Sequence, residues 1–109
     1  MIGALAALAL LAPAAPAAAA AETSIPNARS DGIHEWQADG NRGLYIRSLD
    51  GDWYYARTLG PCGRLRTAVS IGIETRGGDS LDRNGAIHAE GWRCQLESLV
   101  RAEAPPKRR

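Results

Sequence analysis

Phenylalanine is absent from this sequence, and cysteine and histidine occur only twice each. Three Trp and three Tyr are its whole aromatic content, so a few large rings must serve either as core or as binding surface. His34 and His88 have neither a histidine partner at i, i+2 or i, i+4 spacing nor a nearby cysteine, which leaves a zinc site short of ligands. Ser70, Ser80 and Ser98 lack the Gly-x-Ser-x-Gly frame of a nucleophile elbow. Lys and Arg outnumber Asp and Glu by 13 to 12, and a formal charge of +1 gives no electrostatic case for nucleic acid or an anionic membrane. No catalytic residue, metal ligand set or cofactor motif is assigned, and the chain reads as a non-enzyme.

Charge is also missing locally. Met1 to Ala21 contains no charged or hydrogen-bonding side chain, and its most apolar part, Ile2–Leu11, is broken by Pro13 and Pro16 before an alanine tract. This reads as a secretory signal peptide over residues 1–21, cut between 18 and 22, although the basic n-region of such peptides is missing. The rival reading is an uncleaved membrane anchor, since the apolar run reaches spanning length. Two prolines and the excess of alanine argue against it. Cleavage leaves no membrane insertion and a periplasmic or secreted protein of 88 residues (22–109).

A chain that short buries a limited share of its surface, so a covalent tie matters. Both cysteines, Cys62 and Cys94, lie in the exported part. An even count in a small secreted domain favours a disulfide over two free thiols or a metal pair. Closing a loop of this span stabilises by roughly 3–4 kcal/mol in the chain-entropy model.

At 109 residues and 11.6 kDa there is room for one domain. Residues 22–30 are polar, contain Pro26 and lack periodicity, the pattern of a flexible leader. Residues 31–101 hold the domain. Ile33–Ala38 lies between the turn signals Asp31-Gly32 and Asp39-Gly40-Asn41 and reads as an edge strand or an irregular segment, with His34, Trp36 and Ala38 on one strand face.

Gly43–Cys62 reads as a hairpin about Asp50-Gly51. If these two residues form a type I′ turn, Ile46 pairs with Tyr55. Leu44, Ile46, Ser48, Trp53, Tyr55 and Arg57 then share the core face, and Tyr45, Arg47, Leu49, Asp52, Tyr54 and Ala56 the other. A one-residue slip would exchange the faces.

Val69, Ile71 and Ile73 alternate with Ser70, Gly72 and Glu74 as in a half-buried strand, and the bare Gly72 suggests close approach by an indole. Ala86–Ala89 is a short strand ended by Gly91. Residues 92–100 fit a strand with Trp92, Cys94, Leu96 and Val100 on one side, or a helix lining up Leu96, Leu99 and Val100. The β surroundings favour the strand. Residues 102–109, with Pro105-Pro106 and Lys107-Arg108-Arg109, read as a disordered basic tail. The expected architecture is all-β: a small antiparallel barrel or roll of four to six short strands with one disulfide.

Tyr45, Arg47 and Tyr54 form the candidate binding face, since aromatic rings on a sheet make stacking platforms. Core packing is the competing use of the same rings. Asp79, Asp82 and Asn84 place oxygen ligands in the loop 76–85, yet the spacing of a calcium hand is absent.

Ile33-His34-Glu35-Trp36-Gln37-Ala38-Asp39-Gly40, Arg42-Gly43-Leu44-Tyr45-Ile46, Trp53-Tyr54-Tyr55-Ala56 before Gly60-Pro61-Cys62, Ser70-Ile71-Gly72-Ile73, Asp82-Arg83 and Arg93-Cys94-Gln95 recur together in an unusual set. With them the chain resembles a bacterial family of small exported domains of unknown function, many of them lipoprotein-like, over residues 25–106. The resemblance implies export, paired cysteines and a β-rich fold, and it assigns no catalytic or ligand residue. The expectation is a non-catalytic binding or structural module for an envelope component or partner protein, of unspecified oligomeric state. The alternative is a small secreted enzyme or inhibitor acting through the loop 76–85.

Overall fold

The computed structural model of the chain describes residues 21–106. The expected signal peptide falls outside them except for Ala21, as does the end of the basic tail at 107–109. Strands β1 (Glu35–Asp39), β2 (Gly43–Arg47), β3 (Trp53–Thr58), β4 (Ile71–Glu74), β5 (Ala86–Ala89) and β6 (Trp92–Ala102) form one antiparallel sheet in the order β1-β2-β3-β6-β5-β4. The sheet curls into a half-barrel with β1 and β4 at its two ends. Among the described residues, helix is limited to one turn, α1 (Ala28–Asp31), and a 3-10 turn at Leu65–Thr67. The all-β class and the antiparallel sheet agree with the sequence, and 92–102 is strand rather than helix.

Alternation decides what the curl encloses. Leu44 and Ile46 of β2, Tyr54 and Ala56 of β3, Ile87 and Ala89 of β5, and Leu96 and Leu99 of β6 are all buried on the inner face. Trp36 and Ala38 of β1 and Ile71 and Ile73 of β4 pack against them from the ends. Loops close the open side with Ile25, Ala28, Cys62, Leu65 and Leu81.

The β2–β3 connection corrects the expected register. Ile46 pairs with Tyr54, and Tyr45 with Tyr55. The Ser48 amide donates to Asp52 O and the Gly51 amide to Ser48 O, both at 2.9 Å. Gly51 has φ 96° whereas Asp50 is not left-handed, so the loop is the three-residue Leu49-Asp50-Gly51 type closed by a left-handed glycine. One residue more in the loop keeps Leu44 and Ile46 inside but turns β3 over. Tyr54 and Ala56 face the core, while Trp53, Tyr55 and Arg57 face outward. The two-residue turn with both φ positive occurs instead at Glu90-Gly91, φ 53° and 90°, joining β5 to β6.

Three further expectations change. Strand β6 carries a bulge: Thr58 pairs with Leu96 and Arg57 with Ser98, leaving Glu97 over. Parity therefore shifts, so that Leu99 is buried and Val100 faces outward. Strand β4 begins at Ile71, and Val69 before it is 87% exposed. The indole that covers a glycine is Trp92 over Gly63, at 3.9 Å from where a Cβ would stand, whereas Gly72 meets only His88 Cβ.

The leader 22–30 is not loose. Ile25 and Leu81 exchange backbone hydrogen bonds of 2.8 and 3.0 Å, and Thr23 N donates to Leu99 O at 2.9 Å. Ile25 is 1% exposed, and burying an aliphatic side chain of its size is worth about 1.5–3 kcal/mol. Contacts with the sheet are thus already made at Glu22, which bridges to Val100. Strand β6 ends at Ala102, with no regular structure over 103–106.

Candidate functional site

The outer face of the half-barrel carries the site. Tyr45 in the middle of β2 and Tyr55 in the middle of β3 are cross-strand partners, and their rings meet edge to face with centroids 5.0 Å apart. The Tyr55 ring lies over Gly43, where a Cβ would fall 2.6 Å from Tyr55 Cζ. Only glycine leaves that floor open. The Tyr55 hydroxyl donates to Asp39 Oδ2 at 2.7 Å. Partial burial of the ring, then this hydrogen bond and the Asp39 charge, push the Tyr55 phenol up to about 12, so it remains a protonated donor at any physiological pH.

Beside the two rings runs an open groove of about 490 Å³, lined by Asp39, Tyr45, Tyr55, Val100, Ala102, Glu103 and Ala104. The bulge at Glu97 brings Val100 and Ala102 to this face. The groove is apolar along β6 and polar at its rim.

Of the expected binding residues, Tyr45 lines the groove. Arg47 lies on the same face but is engaged at the hairpin tip, 5.8 Å over the Trp53 ring and paired to Glu35 at 3.2 Å. Tyr54 is a correction. At 5% exposure it is a core residue, because β3 is inverted by the longer turn. Tyr55 takes its place, and Asp39, Val100, Ala102 and Glu103 are additions that residue type alone did not mark. Gly43, diagonal to Tyr55 on the neighbouring strand, is the sequence signal that fits a ring reaching over that position.

A second polar cluster spans β4, β5 and β6 on the same side of the sheet. Glu74 Oε1 is 2.7 Å from His88 Nε2, and Arg93 donates to both Glu74 oxygens at 2.9 Å. The Arg93 hydrogen bonds first, and His88 next, hold the Glu74 carboxyl down to about 2. This gives His88 the partner that local spacing did not supply. The cluster clamps a four-residue edge strand to its neighbours. A folded-state value below the ordinary 4.5 means that the ionised form is favoured by folding. Its contribution is therefore present above pH 4.5 and fades as pH falls towards 2. Thermal melts across that window should show wild-type protein losing its advantage over Glu74→Gln, with a pH-independent difference counting against the clamp.

The loop 76–85 is held by tight local turns and by a bond to α1. Asp82 Oδ1 accepts the Asn84 amide at 2.9 Å, and Asp79 O accepts the Arg29 amide at 3.0 Å. Thr75 Oγ1 donates to Gly78 O. Among the described residues, no three His, Cys, Asp or Glu side chains are grouped to hold a metal ion. A smaller polar groove of about 330 Å³ separates this loop from Glu22, Thr23 and Ser24.

The paired cysteines are joined. Cys62, on the loop after β3, is bonded to Cys94 in β6 with Cα atoms 5.6 Å apart.

Residues 1–101 match the profile of a family of unknown function, DUF6491. The chain belongs to DUF6491. No curated protein and no solved structure matches it significantly. As a DUF6491 domain it shares the β-rich, disulfide-bonded character that the quoted motifs implied. Those motifs now have positions. Glu35-Trp36-Gln37-Ala38-Asp39 is β1, Gly43-Leu44-Tyr45-Ile46 opens β2, and Trp53-Tyr54-Tyr55-Ala56 begins β3. Asp39, Gly43, Tyr45 and Tyr55, which build the aromatic half of the groove in this chain, all fall within the motif stretches.

Proposed function

We propose that this domain is an exported, non-catalytic binding module whose ligand sits on the outer face of the sheet, in the groove at Tyr45 and Tyr55. One observation carries the reading. Tyr55 is held outside the core by two fixed features, the missing side chain at Gly43 and the 2.7 Å bond to Asp39. A ring needed only for stability would gain more by facing inward. Two half-buried tyrosines beside an apolar strand surface form the amphipathic platform that binding sites favour. The disulfide suits an oxidising periplasmic or extracellular compartment, where the partner is an envelope component or another protein.

The test is a double variant, Tyr45→Ala with Tyr55→Ala. It should fold with the wild-type circular dichroism spectrum, yet fail to retain the envelope component that wild-type protein retains. Asp79→Asn with Asp82→Asn should leave retention intact. The opposite pattern would move the function to the loop 76–85 and its adjoining groove, which is the reading of a small enzyme or inhibitor.

A further inference from the structure

Among the described residues the groove carries charge of one sign. Asp39 closes β1 and Glu103 follows β6, and both line the groove with Tyr45 and Tyr55, while no described basic residue does. Among the described residues, ion pairs engage Glu35, Asp52 and Glu74, but neither Asp39 nor Glu103. Asp39 is oriented by accepting the Tyr55 hydroxyl through one oxygen, Oδ2. Arg57, whose charge opposes the upward shift of the Tyr55 phenol, is exposed and lies outside the lining. Aromatic faces beside unpaired carboxylates attract a positive charge, since the ring quadrupole is negative above its plane. The aliphatic wall of Val100, Ala102 and Ala104 suits carbon-rich substituents on that charge. An anionic ligand would face two carboxylates with no compensating cation in the lining.

We infer that the groove binds an organic cation of the alkylammonium class, with its positive centre between the tyrosine rings and Asp39. This rests on the groove being the binding face, and specifies what that face takes. The Asp39 carboxylate held by Tyr55, the Glu103 carboxylate at the rim and the half-buried rings select the cation over a neutral body of the same shape. The same headgroup chemistry occurs in free amines and at lipid surfaces.

The experiment titrates choline into the full chain, and in parallel its uncharged isostere, in which a tert-butyl group replaces the trimethylammonium. Proton–carbon spectra of the aromatic and methyl groups read the site. Choline should shift the Tyr45, Tyr55 and Val100 resonances and bind about tenfold more tightly than the isostere. Asp39→Asn with Glu103→Gln should remove about a tenfold share of that affinity while leaving the melting curve in place. Co-sedimentation with phosphatidylcholine vesicles distinguishes the sources. Pelleting that is lost in the tyrosine double variant supports the cation as a lipid headgroup, and choline binding without pelleting supports a free amine. Equal binding of choline and isostere, or affinity unchanged in the carboxylate variant, overturns the cation assignment and leaves the groove as the binding face. Shifts from neither compound overturn the inference outright, while the retention experiment still decides the binding face separately.

Discussion

Removing the Cys62–Cys94 bridge, which lies among the buried core residues, is expected to destabilise the domain by about 3–4 kcal/mol. The bond closes a loop over a sequence separation of 32 residues, and that loop contains β4 and β5 entire. Without it, the unfolded chain regains the freedom of the whole segment. In the folded state, the segment after β3 would still be tied by the buried Leu65 side chain and by backbone bonds such as Cys62 N to Asn41 O at 2.6 Å and Leu65 N to Cys62 O at 3.1 Å. For a domain of this size the loss corresponds to a fall in melting temperature on the order of 15–30 °C. Urea melts of oxidised protein, of reduced protein and of a Cys62→Ala, Cys94→Ala variant should show it. Amide exchange adds a spatial readout. Protection in β4 and β5, which lie inside the closed loop, should fall before protection in β2 and β3, which pair outside it. A loss under about 1 kcal/mol would mean that the unbridged chain is already constrained by other contacts.

The same bond was among the most legible features of the sequence, because cysteine pairing in a small domain needs only a count. Element type was legible for a related reason. The alternations around Leu44-Ile46 and Ile71-Ile73 fit a pleat and do not fit a helical stripe. What failed was parity. Asp50-Gly51 satisfies a two-residue turn with both angles positive and a three-residue turn with one left-handed glycine, and local chemistry does not separate them. The hairpin flanks do not separate them either, since Trp53-Tyr54-Tyr55 offers a large ring on both faces of β3. Glu97 failed in the same way. A bulge costs one unpaired residue and leaves no composition signal, yet it moves Leu99 in and Val100 out. Burial of the leader left no such trace, because Ile25 and Ala28 are isolated apolar residues in a polar stretch and two buried side chains set no period to detect. The groove depended on both parity shifts together. The hairpin turn put Tyr55 outside, and the bulge put Val100 and Ala102 beside it.

Tyr54 and Tyr55, adjacent in sequence, are therefore expected to respond to the same substitution in opposite ways. Tyr54→Ala removes a ring that is 5% exposed, set opposite Ile46 and overlain by the Arg101 guanidinium at 5.5 Å. Truncating a buried aromatic residue to alanine costs about 3–5 kcal/mol, a large fraction of the stability of a domain this small. Tyr55→Ala removes an edge-to-face contact and one exposed hydrogen bond to Asp39, worth about 1 kcal/mol between them once solvent competition is counted. Chemical melts of the two variants measure the difference directly, and Tyr54→Phe, which keeps the ring, should stay within about 0.5 kcal/mol of wild type. With a two-residue turn the order would be reversed, because Tyr55 would then pair with Ile46 in the core. The comparison also governs how binding data are read. Tyr54→Ala abolishes retention by unfolding the scaffold and says nothing of the groove, whereas loss of retention in a folded Tyr55→Ala protein reports on the face that Gly43 and Asp39 hold open.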